Sequence, residues 1–295
     1  MVELRDLQYL TALVRHKHFA RAAQECGVSQ PAFSMRIRNL EERLKATIVK
    51  RGNRFQGLTT EGEKIVARAR TIVDQVQALE QEVNASRGDI FGQLTLGAIP
   101  TAACYAGLLA IQLKKAHPRI VVRIKTTNSL AIQQGVDDGA FHAGITYTEG
   151  VSTDLLQADW LYDEQYVLLL PARFAPKRAG EIAWREAAAF PLTLLEPQMQ
   201  NRRILDRIFE DLDVEPTVAF ETDGFSAALV TALEGAAATV VPRVLIDSLG
   251  GVEGASVLPL IDPTVEKSVS LVTPLKPRTM PIVAALRRVA LTVQR

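Results

Sequence analysis

Ser29, Gln30, Pro31, Ser34, Met35 and Arg38 fall on one face of a helical stretch, and their chemistry is that of recognition. The amide of Gln30 and the hydroxyl of Ser34 both donate and accept, as base edges require, while Arg36 and Arg38 could neutralise phosphate. Behind that face, Phe33, Ile37, Leu40 and Leu44 recur at i, i+4, i+7 and i+11, an apolar stripe expected to point inward. Ser29 has the oxygen that a helix start needs, and Pro31 is tolerated in a first turn where no donor is missed. The preceding segment carries Ala22 and Ala23, small enough for close helix contact, and stops at Cys26-Gly27, where glycine permits a left-handed turn. Two helices around such a turn make a helix-turn-helix. An ordinary helical hairpin with a solvated polar face is the competing reading.

The elements around this motif strengthen the first reading. Leu7, Leu10 and Val14 mark an earlier helix that completes a three-helix core. After Leu44, short strands at Ile48-Val49 and Phe55–Leu58 flank a basic tip, so Lys50, Arg51 and Arg54 are candidates for phosphate or a narrow minor groove. Residues 1–60 hold 11 Lys or Arg against 5 acids, whereas the remainder holds 23 against 28. A basic head on an acidic body suits a chain that presents one end to a polyanion. From residue 60 to 84, Ile65, Ala69, Ile72, Val76, Leu79 and Val83 alternate steps of four and three. That narrow seam predicts a long dimerising helix, with packing on its own domain as the alternative.

Beyond residue 88 strands and helices alternate. Gln93–Ala98, Ile120–Lys125 and Ala143–Thr146 read as strands around helices at 102–117 and 129–138. A second series runs through strands at 166–170, 192–195, 217–221 and 238–241, with helices at 201–212 and 225–234. Strand 268–273 and helix 281–295 should return to the first series. Such alternation predicts parallel sheets with crossover helices.

Phe19, Ala22-Ala23, Val28-Ser29-Gln30-Pro31-Ala32, Ser34, Ile37, Leu40-Glu41, Leu44, Arg51 and Leu58-Thr59-x-x-Gly62 resemble the N-terminal signature of LysR-type transcriptional regulators. The resemblance extends more loosely over the whole chain. It implies an α/β multidomain fold with a winged helix-turn-helix at 1–59, a linker and dimerisation helix at 60–88, and an effector-binding domain at 89–295. That domain would have two lobes, of the type II periplasmic-binding-protein kind, one at about 89–162 and 267–295, the other at about 163–266. The partners implied are double-stranded promoter DNA, further copies of the chain in a homodimer or homotetramer, and RNA polymerase. Lobe closure by ligand would change how the recognition helices are spaced.

A ligand would sit between the lobes, where strand-to-helix turns meet. The candidates are Thr101 and Ala102, Thr127 and Ser129, Gln200, Asn201 and Arg202, and Thr222 and Phe225, with Tyr147 at a strand end. Converging helix N-termini favour an anion, Thr101, Ser129 and Asn201 offer hydrogen bonds, and Arg202 or Arg203 could meet a carboxylate. Thr, Ser and Asn also serve as plain N-caps in such places. The expected effector is a small carboxylate, formate being the example the family suggests, although nothing in the residues isolates it.

No metal-ligand spacing, phosphate-binding glycine loop, nucleophile elbow or HExxH occurs, so neither metal, cofactor nor catalytic residue is expected. Cys26 and Cys104 suggest no disulfide framework. No apolar run reaches the roughly 18 residues of a membrane span, and the first residues lack a signal peptide's apolar centre, which favours the cytoplasm. Two other classes compete: a solute-binding protein or enzyme whose N-terminus only dimerises, and a sequence-tolerant architectural DNA binder.

Overall fold

The structure, a computed structural model, describes residues 1–50, 55–85, 90–174, 180–275 and 280–293. Helices α1 (Leu4–His16), α2 (Phe19–Glu25) and α3 (Gln30–Leu44) pack through Leu10, Leu13, Phe33 and Leu40, all fully buried. Tyr9 stacks on Phe33 with centroids 5.3 Å apart. Leu44 departs from the expected stripe and is exposed at the end of α3. Ser29 caps α3 by accepting from the Ala32 N–H at 3.4 Å. At the far end Lys45 takes a left-handed conformation, φ 51°. A side chain costs about 1 kcal/mol there, so Lys45→Gly is expected to stabilise the DNA-binding domain by about that amount. A thermal melt reads this directly.

Among the described residues, the wing is a bridge between Val49 and Leu58, with Lys50 N–H donating to Gly57 O at 3.0 Å. The Glu41 carboxylate accepts from the N–H groups of Ile48 (2.7 Å) and Val49 (3.0 Å) and so fixes the wing to α3. Helix α4 (Thr60–Ala85) follows, and its Val66, Ala69 and Val73 are buried against α1 and its neighbours. Ala69 therefore belongs to the chain's own core, which corrects its placement in a dimer seam. Ile65 also packs partly there, Val76 is half-buried, Ile72 and Leu79 are exposed, and the Val83 side chain lies outside the described set.

The remaining elements are β1 (Gly92–Ala98), α5 (Ala103–Ala116), β2 (Ile120–Thr126), α6 (Ser129–Asp137), β3 (Ala143–Tyr147) and β4 (Leu156–Pro171). Then come β5 (Ile182–Ala183), α7 (Trp184–Ala188), β6 (Leu192–Leu195), α8 (Gln200–Asp211), β7 (Val218–Thr222) and α9 (Phe225–Leu233). The series ends with β8 (Ala238–Pro242), α10 (Arg243–Ser248), β9 (Ala255–Ile261), β10 (Glu266–Pro274) and α11 (Pro281–Thr292).

One strand joins the two lobes. The first part of β4 pairs with β10, and its last residues, from Tyr166, pair with β8 and β9. The strand order β2-β1-β3-β10-β4-β8-β6-β7 is thus continuous across both lobes. The sheets are mixed, which corrects the all-parallel expectation. β1 runs parallel to β2 and β3, and β6 to β7 and β8, but β10 is antiparallel to β3 and β4. β10 comes back from the second lobe alongside β4, the strand by which the chain left the first lobe, and so runs opposite to it. Separate apolar clusters fill the lobes, one around Leu96, Leu109 and Leu286, the other around Leu168, Trp184 and Phe209.

Candidate nucleic-acid interface and effector crevice

On α3, Gln30, Pro31 and Arg38 are exposed, Met35 is 62% exposed and Ser34 is half-buried. These side chains stand together on the side away from α1. Lys50 is exposed beside the bridge of the wing, while Arg51 and Arg54 lie outside the described residues. Arg36 differs from expectation. Its guanidinium binds Asp6 at 3.0 Å and Glu3 at 3.3 Å, and these acceptors raise its pKa further, so it fastens α3 to α1 rather than waiting for phosphate. Asp6, buried, also receives Arg43 at 2.8 Å. An acid in the first turn of α1 gave no sequence signal of that pairing, because its partners lie 30 and 37 residues away.

Two of the expected turns, those that open α6 and α8, meet between the lobes. Ser129 at the start of α6 donates to Gln200 Oε1 at the start of α8, 2.6 Å across the crevice. Asn128 supplies the cap of α6 by accepting from Ala131 N–H, which leaves the Ser129 hydroxyl for the opposite lobe. Asn201 is 4% exposed, and neither its amide oxygen nor its nitrogen has a partner among the described residues. Thr101 is buried with its hydroxyl 3.5 Å from that of Tyr147. Thr127 is partly exposed, and its N–H ends β1 by donating to Ala98 O. Thr222 bonds within its own turn, through Gly224.

Three of the expected site residues are structural. Arg202 donates to Leu195 O (2.8 Å), Glu221 (2.8 Å) and Asp206 (2.7 Å), so its charge is spent tying α8 to β6 and β7. Ala102 and Phe225 are buried in apolar clusters. Arg203, one residue on, is exposed and lines an open crevice of about 890 Å³ with Tyr147, Gln200, Arg207 and Lys267. Ile204, Ile208 and Val265 form its apolar wall.

Behind Tyr147, where β4 passes from lobe to lobe, stands Glu164, 1% exposed. Its Oε1 accepts from the hydroxyls of Tyr147 (2.9 Å) and Tyr166 (3.1 Å), while Oε2 has no partner among the described residues. Burial lifts its pKa to about 7, against the opposing pull of the hydroxyl donors around it. Strand alternation was the signal that could have found it. Tyr162, Glu164 and Tyr166 are buried while Asp163 and Gln165 are exposed.

A helix-turn-helix with an open polar face, joined by a long helix to a two-lobed α/β domain, defines a ligand-responsive transcriptional regulator. A family model described as the bacterial regulatory helix-turn-helix protein, lysR family, matches residues 4–63, and one described as the LysR substrate binding domain matches 87–295. The chain belongs to the LysR family of transcriptional regulators. It is 26% identical to a hydrogen peroxide-inducible genes activator of Haemophilus influenzae, over 92% of this chain and 90% of that protein. It is 25% identical to OxyR of Escherichia coli K12, over 97% and 95%. Among solved structures it is similar to a full-length OxyR variant from Pseudomonas aeruginosa, with TM-score 0.77, 25% identity and coverage of 99% and 95%. CbnR in complex with its target DNA shares the fold, with TM-score 0.68, 21% identity and coverage of 99% and 100%. Among the described residues, no helix is long and apolar enough to cross a membrane.

Proposed function

We propose that this chain binds promoter DNA through α3 and its wing as a dimer or dimer of dimers, and that an organic acid in the crevice sets its DNA affinity. The observation that carries the first part is the side of α3 bearing Gln30, Pro31, Met35 and Arg38, solvent-exposed while the opposite side is packed. Ile72 and Leu79, left exposed on α4 with Val76 between them, favour a second copy as the partner of that helix. RNA polymerase is the further partner a regulator of this kind would meet.

In the crevice Arg203, rather than Arg202, meets the carboxylate, with Gln200 at the start of α8 adding a hydrogen bond. The apolar wall and the space of about 890 Å³ favour an acid with a hydrocarbon body over formate, which would leave most of that space unfilled. Peroxide is not the favoured signal despite the names of the relatives. Burial raises the pKa of both Cys26 and Cys104, keeping each as the less reactive thiol, and they lie in separate domains.

The test is gel-shift binding to the DNA upstream of the chain's own gene, with scrambled competitor, across a panel of organic acids. Specific binding altered by one acid is expected, and Arg203→Ala should lose that response while still binding DNA. Gln30→Ala should reduce the preference over scrambled DNA about tenfold, the worth of one good base contact. No preference in the unsubstituted protein would overturn the DNA reading. No response to any acid would overturn the effector reading.

A further inference from the structure

A second cavity, of about 550 Å³, lies between the DNA-binding and effector domains, away from the crevice. The DNA-binding domain and α4 line it with Arg15, Lys17 and Arg70, and β2 lines it with Arg123 and Lys125. Among the described residues of the lining, five cations therefore face one carboxylate, that of Asp74. Arg15 is paired with Glu25 and Arg70 with Asp138 at 3.5 Å, but Lys17, Arg123 and Lys125 have no carboxylate partner among the described residues.

The cations act on one another. Desolvation, then the charges of Arg123, Arg70, Arg15 and Lys17, pushes the Lys125 ammonium below its ordinary range. His142, also in the lining, accepts the Thr95 N–H on Nδ1 at 2.8 Å. Burial holds the ring neutral, so its proton sits on Nε2 and that nitrogen is a donor. The cavity thus concentrates donors and positive charge at the cost of self-repulsion. Strand alternation sends Arg123 and Lys125, two residues apart on β2, to the same side, where they meet Arg70 and Lys17 in the lining.

We propose that this cavity is a second ligand site, which takes a small multivalent anion of the phosphate kind and holds the DNA-binding and effector domains in one relative position. The volume falls in the range of small-molecule sites and excludes a DNA duplex, which is roughly 20 Å wide. An anion there would neutralise charges contributed by both domains at once. It would couple to DNA affinity by favouring the arrangement in which those charges meet. The site is independent of the effector reading, because it shares no lining residue with the crevice.

The experiment is calorimetric titration of the full-length protein with inorganic pyrophosphate at constant ionic strength, with acetate as the monovalent control. Saturable binding of pyrophosphate and none of acetate is expected. The double variant Arg123→Gln, Lys125→Gln should bind at least about tenfold more weakly, two charge-assisted contacts being lost. Since the cations repel each other, that variant should melt no lower than the original protein, which separates lost binding from lost folding. Arg203→Ala should bind pyrophosphate unchanged. Absence of saturable heat, an equal response to acetate, or full binding by the double variant would overturn the site. Gel shifts in the same buffers should show a pyrophosphate-dependent change in DNA affinity that the double variant lacks. An unchanged DNA affinity would overturn the coupling between the domains.

Discussion

Gly62→Ala is expected to destabilise the DNA-binding domain by about 2–3 kcal/mol and to weaken DNA binding at least tenfold. A Cβ on this residue would press into the carbonyl of Ile48, which is backbone and cannot swing aside. That carbonyl accepts from Thr59 N–H at 3.0 Å, and the amide of the same Ile48 is held by Glu41. Thr59 in turn spans both sides, donating from its hydroxyl to Thr47 O and accepting from Gly62 N–H at 2.9 Å. Moving Ile48 therefore disturbs three buried or half-buried hydrogen bonds, each worth about 1 kcal/mol, and shifts the wing that carries Lys50. Circular dichroism melts and gel shifts on the alanine variant check this together. A melting curve identical to that of the original protein would mean that the start of α4 is slack where the structure shows contact.

The same corner shows how much the sequence disclosed. Phe55–Leu58 was readable as the end of a wing and residue 60 onward as a helix, because turn chemistry and apolar spacing are local properties. The recognition face was legible for the same reason. Phe33, Ile37 and Leu40 recur at helical spacing and fill the core, so the opposite residues had to face outward. What the spacing could not supply was the identity of the neighbour. Ala69 fits a dimer seam by its step from Ile65, yet Val66 and Val73 widen the apolar stripe and turn it onto α1. Arg202 and Arg203 are equivalent in sequence. Only the fold brings Glu221 beneath one of them and leaves the other open to the crevice. Glu164 was hidden by its surroundings in another way, since an acid in a strand normally marks the solvent side.

Glu164→Gln is expected to remove a pH dependence that the effector domain otherwise carries between about pH 4.5 and 7. Folded, Glu164 keeps its proton up to about pH 7, whereas the exposed side chain of the unfolded chain releases it near 4.5. Between those values the folded state binds more protons, so raising the pH favours unfolding. The contribution of this group is complete below pH 4.5 and lost as the pH rises through 7, amounting to roughly 3 kcal/mol. Glutamine is neutral at every pH, and its amide oxygen can take over the hydroxyls of Tyr147 and Tyr166. At pH 8 the variant should therefore melt several degrees higher than the original protein, and at pH 4.5 the two should nearly coincide. Other titrating groups, such as Asp138 and His142, are common to both proteins and cancel in the difference. Parallel melting profiles across this range would show that Glu164 does not titrate between the lobes. A difference confined to the neutral side would mean that the strand joining the lobes carries a carboxyl whose charge is costly.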